Sequence, residues 1–216
     1  MNYPHRLLTA ALVFGCALGA AAQAQTLDFG LTSPVTPALI TPQVGNSAFL
    51  LGRAAGTQGY VCLPTTTGAS WTVNNPRPEA TLFAGFLKPD IQIITHFLSP
   101  NTHPNGIAPV PFGSATWQSS LDSSKVWAQV FNGAMVQAGT HPSCPNSGSI
   151  ACLLLTTVGT QDGPTGGKFM DQVTFIQRLN TKGGSAPADG CSVAGDVGKQ
   201  VLVPYTADYW FFHKDN

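Results

Sequence analysis

The sequence predicts an all-β domain, a single sandwich or barrel of short antiparallel strands stapled by disulfides. Three observations carry that prediction. The apolar runs are short, about eight to ten in number, and each is cut off by Gly or Pro. No long stretch repeats its apolar residues at helical spacing. Four cysteines follow an N-terminal segment that has the anatomy of a secretory signal, and an even count in an exported chain reads as a disulfide framework.

The signal is read first. His5 and Arg6 precede an apolar run from Leu7 to Ala22, and Ala22-Gln23-Ala24 forms an A-x-A cleavage site. The division expected is a signal peptide over 1–24, a Pro-rich extended arm over 25–46 and a β domain over 47–216. Val13-Phe14-Gly15-Cys16 offers lipidation as a minor rival, but the residues after Cys16 stay apolar as though the signal core continues. Cleavage of 24 residues from the 216 leaves 192, enough for one substantial core. A secreted or periplasmic protein with no membrane span, and a monomer, is expected.

Along the arm, Pro34, Pro37 and Pro42 interrupt any periodicity. Strands are expected at Phe49 to Ala54 and, after a turn bounded by Gly56 and Gly59, at Tyr60 to Leu63. Ser70 to Val73 carries Trp71. Ile91 to Leu98 alternates Ile91, Ile93, Thr95 and Phe97 against Gln92, Ile94, His96 and Leu98, both sets largely apolar, which predicts a strand covered on both faces. A Pro-rich loop from Ser99 to Ser114 separates it from strands at Trp117 and at Lys125 to Asn132. Ile150 to Val158, Asp171 to Leu179 and Gln200 to Phe212 complete the set, with Pro204 marking an entry or edge position.

Composition narrows the function. Only ten Lys and Arg occur against ten Asp and Glu, with no basic cluster, so nucleic acid is not an expected partner. No G-x-G-x-x-G follows a strand, Gly163 to Lys168 lacks P-loop spacing, and neither G-x-S-x-G nor H-E-x-x-H occurs. No cofactor is expected. Glu79 is the sole glutamate, and the nine aspartates fall mostly in turns, which leaves no evident carboxylate pair.

The cysteines are Cys62, Cys144, Cys152 and Cys191, with three pairings open. Cys144 and Cys152 bracket a turn-rich segment where local closure is easy, which would leave Cys62 for Cys191. No C-x2-C pair occurs, and a His96, His103 and His141 metal site lacks supporting spacing, so no metal is expected.

Four side chains invite a role. His96 sits on an apolar strand where its ring needs a partner: either it is a general base working with Asp122 or Arg178, or it is a buried histidine satisfied by backbone or water. The second reading ranks first. Arg178 could clamp a carboxylate ligand through its planar fork, although hydrogen bonds that tie the sheet together are the plainer reading. Gln177 beside it faces the opposite way. Most aromatics belong in the core, and Trp117, next to the Pro-rich loop, is the one expected to be exposed and available to a ligand.

Three blocks carry a family resemblance: Gly56-Thr57-Gln58-Gly59-Tyr60-Val61-Cys62, Ile176 through Gly184, and Cys191 with Val203-Pro204-Tyr205-Thr206-Ala207-Asp208-Tyr209-Trp210-Phe211. Together they resemble DUF3455, a family of exported bacterial and fungal proteins of unknown function. The resemblance spans most of the mature chain. It implies export and favours a Cys62–Cys191 pairing, since both cysteines sit in its blocks, but it implies no activity. A malate dehydrogenase label attached to some fungal members finds no support in the motifs above. Where the family pattern has a compact His-Tyr-x-Gly-Pro-x-Trp element followed by Asp-Gly-Ser, this chain has His96-Phe97, a Pro-rich insertion, Trp117 and Asp122-Ser123-Ser124. Two functions follow: a non-catalytic domain binding a small molecule or an extracellular polymer, or a hydrolase using His96 with an Asp.

Overall fold

The computed structural model describes residues 31–73, 79–84, 91–100 and 113–215. The signal segment with Cys16, His103 and most of the Pro-rich loop lie outside the described residues. Nine strands follow one another: β1 (Asn46–Thr65), β2 (Gly68–Thr72), β3 (Glu79–Ala84), β4 (Gln92–Ser99), β5 (Ser114–Ser119), β6 (Lys125–Val136), β7 (Cys152–Gln161), β8 (Val173–Gly183) and β9 (Gln200–Lys214). All pairings are antiparallel, in the order β2-β1-β3-β4-β5-β6-β7-β8-β9. β9 also pairs with β1 from Asn46 to Val61, so the ladder closes into a ring, with β2 a hairpin on the far end of β1. Closure leaves the ring without an open edge.

Alternation puts one residue set inside the ring: Ala54 on β1, Leu82 on β3, Ile94 on β4, Trp117 on β5, Val126 on β6, Leu155 on β7, Ile176 on β8 and Tyr209 on β9 pack as one cluster. A second cluster lies outside, around Leu154, Phe175, Leu179, Trp210 and Phe212. The described part of the arm covers it. A short 3-10 turn, Ala38–Ile40, buries Ile40 there, and Gln177 Nε2 on the outer face of β8 donates to Ile40 O at 2.6 Å and Thr36 Oγ1 at 3.2 Å. Thus β8 is covered on both sides, with Gln177 facing the arm and Arg178 facing the ring.

Three sequence expectations need correction. β1 is one strand of 20 residues, with no turn at Gly56 to Gly59. The glycines mark close approach instead: a Cβ at Gly56 would stand 2.0 Å from Glu79 O, and one at Gly52 would stand 2.8 Å from Leu82 Cδ2. β6 does not end at Asn132. Asn132 and Gly133 take positive φ (46° and 72°) and form a bulge, after which pairing with β7 resumes, Val130 opposite Leu155 and Met135 opposite Leu153. β3 was not expected at all; it is short, and its Glu79 and Ala80 start gives little apolar signal.

Two disulfides join Cys62 to Cys191 and Cys144 to Cys152. The first ties β1 to the segment before β9, and the second closes the turn between β6 and β7. No helix among the described residues is long and apolar enough to cross a membrane.

Candidate functional site

The ring is not filled throughout. A cavity of about 570 Å³ opens within it, walled by Ala115, Trp117, Leu153, Leu155 and Tyr209, with Gln58, Tyr60, His96, Ser149, Arg178 and Ser185 among its polar members. Val73, 51% exposed, and Met135, 52% exposed, also line it and give it an apolar rim. The volume falls in the range of small-molecule sites, and the lining mixes apolar walls with few polar groups as such sites do. Ala115, Ser149, Ala151, Ser185 and Ala186 are the small residues of its lining.

His96 and Trp117 are register partners on β4 and β5. Their rings stack with centroids 4.1 Å apart and planes 8° apart, and Tyr209 leans on both. His96 is 3% exposed, with Nδ1 2.8 Å from Thr116 O. A carbonyl only accepts, so the proton sits on Nδ1 and Nε2 keeps its lone pair. Burial drives the His96 pKa down to about 3; the Thr116 bond opposes this, and the Arg178 charge adds to it. His96 is therefore neutral at pH 7 and a poor proton acceptor, far from the basicity a general base needs.

Arg178 enters from β8, level with Leu153 of β7 and Tyr209 of β9. Its fork is held by Ala151 O, to which Nε donates at 3.2 Å and Nη2 at 2.8 Å. Among the described residues it is the only charged side chain in the lining. Around it, Tyr60 donates to Gly184 O at 2.6 Å, and Tyr205 and Tyr209 share a hydrogen bond at 3.1 Å. Gly184 has φ of 81°, and a Cβ there would meet Tyr205 and Ile150 at 2.9 and 3.0 Å. Burial raises the pKa of both Tyr60 and Tyr205; for Tyr205 its neighbour Tyr209 adds to the rise, and Arg178 pulls both back. Tyr60 and Tyr205 thus stay phenols and supply no counter-charge to Arg178.

Three of the four residues singled out by sequence meet here: His96, Trp117 and Arg178. Asp122 is not in the lining. Its carboxylate holds the β5–β6 turn to the segment before β8, accepting from Ser124 N and Oγ at 3.1 and 2.7 Å and from Phe169 N at 2.9 Å. Burial tends to raise its pKa, but these bonds outweigh burial and the net shift is downward. Trp117 is placed differently from the expectation: it is 1% exposed, inside the ring, because the Pro-rich segment beside it in sequence does not decide which way an inward strand position points. Trp127 and Trp210 are buried as well, and Trp71 on β2 is half-buried with Nε1 donating to Asp189 O at 2.9 Å, so no surface groove of several tryptophans exists among the described residues.

Gln58 was missed as a lining residue, and Tyr60 was weighed only as one aromatic among several. The alternation from Gly52 to Tyr60 would have given them, had the glycines not been read as a turn. Among the described residues no group of three His, Cys, Asp or Glu side chains could hold a metal.

No curated protein and no solved structure matches the chain. A family model does match, over residues 44–213, which takes in all nine strands up to the last residue of β9 but one, both disulfides and the whole cavity lining. The chain therefore belongs to the DUF3455 family, described as proteins of unknown function.

Proposed function

We propose that this is a non-catalytic, exported binding domain that takes one small, largely apolar molecule into its ring. The observation that carries the reading is the cavity itself, about 570 Å³ with apolar walls, an apolar rim and a handful of polar groups at fixed positions. A site inside a ring of strands suits a small molecule; a polymer would need an open groove, and three of the four tryptophans that might have formed one, Trp117, Trp127 and Trp210, are buried. A hydrolase would need His96 to accept a proton and a carboxylate to orient it. The lining contains no carboxylate among the described residues, and the His96 Nδ1 proton is already committed to Thr116 O.

The test is thermal melting of the mature protein against a panel of small apolar compounds, in parallel with Ala115→Trp, which would fill the cavity from its wall, and Ala186→Trp at the lining's loop side. A ligand present at a hundred times its Kd stabilises the native state by about 2.7 kcal/mol, a rise of about 5–10 °C for a domain of this size. The rise is expected for the parent protein and not for whichever filled variant retains the parent far-UV spectrum. No rise with any compound, or an equal rise in the filled variants, would overturn the reading.

A further inference from the structure

We infer that the molecule held in this cavity is an apolar monocarboxylate whose carboxylate pairs with Arg178, an inference that rests on the cavity reading above. Arg178 is a guanidinium facing the inside of the ring, with no acidic side chain in the lining and no ion pair to any described residue. The ion pairs among the described residues, Lys168–Asp162 and Lys199–Asp196, lie elsewhere. The guanidinium is half-buried and has no counter-charge among the described residues, and an anionic ligand would supply one through charge-assisted hydrogen bonds.

Geometry favours a carboxylate. Ala151 O accepts from Nε and one Nη2 proton, which fixes the guanidinium plane and leaves the Nη1 protons and the other Nη2 proton without an acceptor among the described residues. Those protons form the end-on fork that matches two oxygens of one planar acid group. Two more donors in lining residues lack acceptors, Gln58 Nε2 and Trp117 Nε1, both buried. The same site offers no second cation, His96 being neutral, so one negative charge is matched and a doubly charged phosphate is not. The body of the ligand must be apolar because Ala115, Val130, Leu153 and Leu155 give it nothing else to touch. At about 30 Å³ per water-sized group, the cavity holds roughly 20 non-hydrogen atoms at most.

Octanoate and octanamide differ in charge and little else, and calorimetric titration of the mature protein at pH 7 with each is the test. Octanoate should bind the parent protein about 10- to 100-fold more tightly than octanamide, the span expected of charge-assisted hydrogen bonds. Arg178→Gln should erase that preference by weakening octanoate much more than octanamide, and Arg178→Lys should keep part of it. Equal binding of the two compounds to the parent protein would overturn the inference. So would an Arg178→Gln variant that loses both equally, since Arg178 would then act only by supporting Ala151. If neither compound binds while a neutral member of the melting panel does, the carboxylate assignment falls and the cavity reading stands. If nothing in the panel binds, both fall.

Discussion

Replacing a disulfide by two alanines removes the cross-link without leaving a free thiol, and the two disulfides here should respond unequally. Cys62 and Cys191 lie 129 residues apart in sequence, whereas Cys144 and Cys152 lie 8 apart. On the loop-closure model the long link restricts the unfolded chain by about 5 kcal/mol and the short one by about 2.5 kcal/mol. Side-chain loss adds little to the contrast, since Cys62, Cys144 and Cys152 are all fully buried and become alanine in the same way. The long link also fastens the end of β1 that carries the β2 hairpin, where Cys62 N and O bond to Lys199 O and Gly198 N. The paired variants Cys62→Ala with Cys191→Ala, and Cys144→Ala with Cys152→Ala, are compared by urea unfolding at pH 7. The expected result is a loss of stability about 2 kcal/mol larger for the long link, with the m-value raised in both because the unfolded chains expand. An equal loss, or a larger loss for the short link, would refute the reasoning: chain restriction would then not be what these bonds contribute.

Three further outcomes are expected. Gly56→Ala places a Cβ against the Glu79 backbone, which cannot swing aside, so the variant should lose about 2–3 kcal/mol and melt several degrees lower, while Gly45→Ala, where a Cβ meets nothing but φ is 85°, should lose about 1 kcal/mol. His96 should make the protein acid-sensitive. Its folded pKa lies near 3, below the unfolded value of 6.5, so the unfolded state binds the extra proton between those limits and stability falls as pH falls, by about 1.4 kcal/mol per unit. Urea midpoints at pH 7 and pH 4.5 should therefore diverge more in the parent protein than in His96→Gln; equal divergence would remove His96 as the cause. Asp122→Ala should cost about 1–3 kcal/mol through the lost bonds to Ser124 and Phe169, yet leave affinity for any cavity ligand unchanged, as titration would show. A large affinity loss with the fold intact would instead restore Asp122 to the site.

Most of the strands were legible because their residues alternate or run as apolar blocks, as at Ile91 to Leu98 and Asp171 to Leu179. What failed has a common cause, the double meaning of glycine. Gly56 and the Asn132-Gly133 pair look like turns in a linear reading. In the closed ring, Gly56 allows β3 to approach β1, and Asn132-Gly133 forms a bulge that lets β6 continue past the cavity. Closure itself was not legible, since it depends on β1 and β9 meeting from opposite ends of the chain. The site was legible in part. A lone His and a lone Arg on apolar strands announced that each needed a partner, but strand alternation cannot say which inward positions from β4, β5, β8 and β9 share a level. Asp122 looked available because a turn aspartate carries no mark of the three bonds it accepts.

The most direct measurement is a crystal structure of the mature protein grown with octanoate. The account predicts the ligand inside the ring, its carboxylate within hydrogen-bond distance of Arg178 and its chain against Leu153 and Leu155. A ring interior closed by side chains, or octanoate bound only on the outer surface, would contradict it.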